Sequence, residues 1–157
     1  MRKPTIVVGS DHAGFGLKRY VITLLEKEGY RVVDKGTDGP GSVDYPDFAE
    51  AVGKEMASRP GSLGILSCGT GIGISIAANK LPGIREALVR TPREARLSRE
   101  HNDANVLVLP GRPWRKKNTG AAVRAWLKAP FAGGRHGRRV RKIAVLEKTY
   151  GEERPPD

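Results

Sequence analysis

Ser67-Cys68-Gly69-Thr70-Gly71-Ile72-Gly73-Ile74-Ser75-Ile76-Ala77-Ala78-Asn79-Lys80 is the stretch on which the reading of this chain turns. The apolar run 63–66 leads into it and reads as a buried strand. Gly69, Gly71 and Gly73 follow at every second position, and Ile74, Ile76, Ala77 and Ala78 then read as a buried helix. A strand, a glycine-rich turn and a helix start form an anion site, because backbone N–H groups point out of the turn and the helix dipole adds about half a positive charge. The only cysteine, Cys68, stands at the mouth of this turn. The expectation is that Cys68 does chemistry and that the turn holds the negative charge it creates.

Outward from this turn, strands and helices alternate. Thr5 to Gly9 is a short β-branched run ending in glycine. A helix carries Leu17, Tyr20, Val21, Leu24 and Leu25 on one face and stops at Gly29. A second strand covers 31–35, and a glycine-rich loop runs over 36–42. Asp44-Tyr45-Pro46 opens the next helix, with Phe48, Ala49, Val52 and Met56 inward. After the glycine turn come a strand over 86–90, a helix from Thr91-Pro92 to His101-Asn102-Asp103 and a strand over 105–109. A helix around 121–127, a loop over 130–137 and a last helix from Val140 to Glu147 follow. This order predicts one α/β domain over 1–148, followed by a flexible tail over 149–157. Its core is a five-stranded parallel sheet with helices on both faces, Rossmann-like, in the flavodoxin-type strand order. Ligands of such sheets bind beyond the carboxyl ends of the strands. Asp11, His12, the 68–73 turn and Arg112 all fall there.

Length and composition suit one globular domain of 157 residues. One cysteine excludes an intrachain disulfide. The apolar run after Arg2 and Lys3 is too short for a leader, so a cytoplasmic location is expected. No run approaches membrane-spanning length. The net charge of +11 is uneven, with 13 Lys/Arg against 4 Asp/Glu in residues 112–157. Such a basic third suits anionic substrates, nucleic acid or a solvated face. It lacks the interleaved aromatics of a single-strand binder, which argues against nucleic acid.

The glycines do not spell a dinucleotide motif. Gly69 and Gly71 lead to Ile74, and Gly71 and Gly73 lead to Ile76, where a small residue is needed. The 9–14 spacing matches a phosphate loop, but Phe15 stands where lysine is required. Three histidines without tight ligand spacing argue against a metal site, and no cofactor is expected. Each polar candidate has a plain alternative. Cys68 could be a small core residue, Asp11 a helix cap, Thr70 a turn residue, and the arginines of the last helix solvated charge.

Taken together, the motifs resemble a known family. Gly9-Ser10-Asp11-His12-Ala13-Gly14, Asp44-Tyr45-Pro46, the 68–80 block, Gly83-Ile84-Arg85, the 97–103 block ending His101-Asn102-Asp103, and the glycine- and arginine-rich 133–140 block appear in order. The chain resembles, from Ile6 to about Glu147, the type B ribose-5-phosphate isomerases, a family that also holds galactose-6-phosphate isomerase subunits and allose-6-phosphate isomerases. The resemblance implies a metal-free aldose–ketose isomerase acting through a cis-enediolate. It implies Cys68 as the base and the N–H groups of Gly69, Gly71, Ile72 and Gly73 as the anion hole. His101, helped by Asp11 and Thr70, would open the sugar ring, and Asn102 would hold sugar hydroxyls. His12, Arg112, Arg135 and Arg139 would hold the phosphate. It also implies a homodimer or homotetramer with the site shared between subunits. Ribose 5-phosphate is the expected substrate. A six-carbon sugar phosphate, or a non-catalytic sugar-phosphate binding subunit, are the alternatives. The loop 36–42 and the segment 113–117 depart from the family pattern.

Overall fold

The computed structural model describes residues 3–151. Its elements are β1 (Ile6–Ser10), α1 (Phe15–Lys27), β2 (Val32–Asp34), α2 (Tyr45–Ala57), β3 (Leu63–Cys68), α3 (Ile72–Ala78), β4 (Glu86–Leu88), α4 (Pro92–Asn102), β5 (Val106–Pro110), α5 (Lys116–Lys128) and α6 (Gly134–Tyr150). All four strand pairings are parallel. Successive residues face opposite sides of the sheet and so feed two cores. Ile6, Val8, Ile65, Leu107 and Leu109 meet α1, α4 and α5 around fully buried Trp126. Val7, Leu66, Cys68, Val106 and Val108 meet α2 and α3 through Val52, Met56 and Ile74. Each such fully buried aliphatic side chain contributes about 1.5–3 kcal/mol. Among the described residues no helix is long and apolar enough to cross a membrane.

The expected α/β fold is present, but its strand order is corrected. The sheet runs β2-β1-β3-β5-β4, so the last two strands are exchanged relative to the flavodoxin order. The reason lies in their length and composition. β5 is a Val-Leu-Val-Leu run buried on both faces, which demands a central place. β4 has three half-buried residues and suits an edge.

Two helices also differ from expectation. Ile76 of α3, expected to be buried, is 60 % exposed, so its side of α3 is left open among the described residues. The last helix begins at Gly134 rather than near Val140. Gly133 and Gly134 make the turn with positive φ, and the arginines after them are good helix formers. α6 packs mainly on α4 and leaves Ile143, Val145, Leu146 and Tyr150 exposed. It runs through Tyr150, past the expected start of the tail, and residues 152–157 lie outside the described residues.

One polar clamp fixes α3, the helix that follows the glycine turn. Glu86 Oε2 accepts hydrogen bonds from the Ser75 hydroxyl and from Asn79 Nδ2 at 3.0 Å. Asn79 Oδ1 in turn accepts from Glu86 N at 2.9 Å. The second carboxylate oxygen, Oε1, is buried without a partner. Burial therefore pushes the Glu86 carboxyl up to about 7, although the two hydrogen bonds pull the other way. Between the ordinary glutamate value near 4.5 and about 7, the folded chain holds a proton that the unfolded chain has released. This contribution to stability is complete below pH 4.5 and is lost as pH rises through 7. The loss amounts to up to about 3 kcal/mol. Glu86→Gln should flatten that dependence, making the variant at least as stable as the parent at pH 8 but not at pH 4.5. Urea unfolding at the two pH values checks this, and parallel pH curves for both proteins would refute it.

Candidate active site

Three loops at the carboxyl edge of the sheet are joined through their backbones. Asp11 N donates to Ser67 O (3.3 Å), Gly111 N to Cys68 O (2.8 Å) and Arg112 N to Gly69 O (2.9 Å). The loops after β1, β3 and β5 thus hold one surface, and Asp11, His12, Cys68, Thr70 and Arg112 lie on it.

Asp11 is buried, and its Oδ1 accepts from Ala13 N (2.9 Å) and Gly14 N (3.0 Å). This ties the carboxylate to its own loop. His12 Nδ1 accepts from Val43 N at 3.2 Å, so the neutral ring carries its proton on Nε2, where it can donate to an anion. His12 and Arg112 line one open cleft of about 650 Å³ together with Phe15 and Trp114. Cys68 is only 4 % exposed, which keeps bulk water from its thiol. Thr70 Oγ1 accepts from Ile72 N at 3.1 Å and shapes the turn.

The turn requires glycine at two places for different reasons. Gly71 has φ +79°, and a Cβ there would also lie 2.6 Å from Leu88 Cδ1. Gly73 lies under the Tyr45 ring, where a Cβ would sit 2.6 Å from Cζ. Tyr45 thereby roofs the first turn of α3. The sequence places Tyr45 at a helix start and within the Asp44-Tyr45-Pro46 motif, and that motif is the available signal for its role.

His101, Asn102, Arg135 and Arg139 lie elsewhere. α4 runs antiparallel to the strands, so its last residues, His101 and Asn102, sit at the amino edge of the sheet, just before β5. The His101 ring stacks on His136 of α6 with centroids 4.2 Å apart and planes 6° off parallel. Burial against that surface lowers the His136 pKa, and the charges of His101, Arg135 and Arg139 lower it further. Arg135, Arg139 and His101 therefore form one positive cluster. The length of β5, roughly 15 Å, separates this cluster from Cys68 within one chain. Among the described residues no group of three or more His, Cys, Asp or Glu could hold a metal ion.

The ribose/galactose isomerase family model matches residues 6–143. The chain belongs to this family. It is 45 % identical to ribose-5-phosphate isomerase B of Escherichia coli K12 over 142 residues, covering 90 % of this chain and 95 % of that protein. The structure of ribose-5-phosphate isomerase B from Clostridium thermocellum matches with a TM-score of 0.90 at 52 % identity, covering 93 % of this chain and 99 % of that one. The Mycoplasma genitalium enzyme, solved with bound ribulose-5-phosphate, matches with a TM-score of 0.89 at 41 % identity, covering 94 % and 99 %. These family structures share the sheet described here over nearly the whole chain.

The contact between Tyr45 and Gly73 is testable. Gly73→Ala should cost about 1–3 kcal/mol by forcing the ring aside. That cost should vanish when the same change is made in a Tyr45→Ala background. A double-mutant cycle in urea gives the answer, and additive losses would show that the two residues do not press on each other.

Proposed function

We propose that this chain interconverts ribose 5-phosphate and ribulose 5-phosphate by proton transfer through a cis-enediolate, in a site completed by a second copy of the chain. The family membership and the relatives' activity support the reaction. The separation of the two polar clusters supports the shared site. A Cys68 half-site stands at one edge of the sheet and a His101–Arg135–Arg139 half-site at the other, and neither holds every group the reaction needs.

The open-chain aldose lies with its carbonyl end in the glycine turn. Cys68 Sγ removes the proton at C2 and returns it at C1, while the O2 hydroxyl proton passes to O1 across the cis-enediolate. The enediolate oxygen formed between these steps is held by the outward N–H groups of the turn, which suit a charge that develops only as the proton leaves. In the first turn of α3 the Ile72 N–H is taken by Thr70 Oγ1, whereas the Gly73 and Ile74 N–H groups have no intrahelical acceptor and are available for this. His101 from the second copy opens the sugar ring with Asp11 and Thr70, and Asn102 of that copy holds sugar hydroxyls. The phosphate is met by His12 and Arg112 of one chain and Arg135 and Arg139 of the other, since guanidinium forks match phosphate oxygens. The assembly is a homodimer or homotetramer, and the compartment is the cytoplasm. Exposed Ile72 and Ile76 on α3 and Ile143 and Leu146 on α6 offer the apolar surface for association.

Cys68→Ala should abolish isomerisation while ribose 5-phosphate still binds within a few-fold. Loss of binding together with activity would make Cys68 structural instead. Turnover confined to allose 6-phosphate or galactose 6-phosphate would keep the mechanism and change the substrate.

The shared site has a separate test. Cys68→Ala and His101→Ala proteins, each inactive alone, should regain about a quarter of the parent activity when refolded together. A two-fold heterodimer then has one intact site of two, and half of the dimers are mixed. No regain from a mixture shown to exchange subunits would place both residues in one chain's site.

A further inference from the structure

A second cavity, of about 420 Å³, lies beside the reaction turn between the β4–α4 and β5–α5 connections. Thr70, Ile72 and Arg112 form its border with the proposed reaction site, and the rest of its lining takes no part in the chemistry described above. Val89, Leu109, Pro110 and Trp114 make an apolar floor. Arg90 and Arg115 stand on its wall with Arg112. Asn118 Nδ2 donates to Arg90 O at 2.8 Å, which joins the two connections and holds the cavity in shape without a ligand.

Two independent observations point to an anionic occupant. First, none of the described ion pairs involves Arg90, Arg112 or Arg115, nor Lys116 and Lys117 next to them. The Glu94 carboxylate is engaged by the N–H groups of Arg90 (2.7 Å) and Thr91 (3.1 Å). Second, Thr119 is 3 % exposed and lines the cavity, and its hydroxyl makes no hydrogen bond to another described residue while remaining accessible rather than sealed in the core. An accessible hydroxyl without a partner, beside guanidinium groups outside any ion pair, is a donor set for an oxyanion.

We infer that this cavity is a second oxyanion subsite, taking a phosphate group of a small phosphorylated metabolite with Arg90, Arg115 and the Thr119 hydroxyl as donors. Because Thr70 and Arg112 border it, its occupant slows isomerisation. That second consequence rests on the proposed reaction site, whereas binding does not.

Inorganic pyrophosphate is the probe. It is titrated into Arg139→Ala protein, in which the phosphate contacts proposed for catalysis are weakened. Trp114 reports binding, since the only other tryptophan, Trp126, is fully buried. Pyrophosphate should change the fluorescence, and the change should disappear with Trp114→Phe. Arg90→Gln/Arg115→Gln should bind the probe roughly tenfold or more weakly, each lost charge-assisted bond contributing. Its KM for ribose 5-phosphate should stay at the parent value. Absence of a fluorescence change in Arg139→Ala protein, or undiminished affinity in the double glutamine variant, would overturn the subsite. A raised KM in that variant would assign the two arginines to the substrate instead. Should the double variant fail to fold by circular dichroism, Arg115→Gln alone carries the same test. If the chain isomerises no sugar phosphate, the binding result still stands or falls by itself.

Discussion

Three consecutive carbonyls, of Ser67, Cys68 and Gly69, accept hydrogen bonds from the loops on either side, and the carboxyl edge depends on them. A cysteine side chain at a strand end has no fixed surroundings of its own. Here its peptide is held on one flank by Asp11 and on the other by Gly111 and Arg112. This arrangement needs β1 and β5 as the two neighbours of β3, which the sheet order provides. Were β4 in the place of β5, the loop beside Cys68 would be the one that carries Arg90, and Arg112 would be one strand further out. The exchange of the last two strands is thus the feature that brings Arg112 to the thiol's side of the sheet.

The same parallel order divides the chemistry. Helices in such a sheet return to the amino edge, so residues near a helix end and residues near a strand end lie on opposite sides. His101 and Asn102 end α4, and Arg135, His136 and Arg139 begin α6 beside them. Gathering these groups around one substrate requires a two-fold contact that brings the amino edge of one chain to the carboxyl edge of another. The exposed apolar residues of α3 and α6 lie on the two elements that such a contact would use.

Much of this was legible in the sequence because it is local. The 67–80 stretch reads directly as strand, turn and helix start, and the turn stands where it was expected. The α4 helix starts at Thr91-Pro92 as expected, and the structure adds the reciprocal bonding of Thr91 with Glu94 there. What was not legible is set by distant partners. Nothing within Glu86–Leu88 says that it is an edge strand until the burial of β5 is compared with it. Ile76 follows the helical period of a buried face, but which side meets solvent depends on whether another chain is there. Glycine at 133, 134 and 137 reads as loop, yet only the first two turn the chain, and Gly137 sits buried inside α6. The clamp joins Ser75 and Asn79, one turn apart at the end of α3, to Glu86 on a separate strand, so the period of neither element could reveal it.

The uneven charge has a structural sense once these places are known. The basic surplus of the described residues 112–151 is not spread over one solvated face. Part of it gathers at the start of α5 beside Thr70, and part at the start of α6 beside His101. Like charges gathered in two places repel, and solvation alone offers no reason to keep them together. An anion placed among them removes that repulsion and is attracted from a distance before contact, most strongly at low ionic strength. A chain that joins its two edges across a two-fold contact would surround its substrate with both clusters at once. Selection for a phosphate would then come from the whole field of the site as much as from any single arginine.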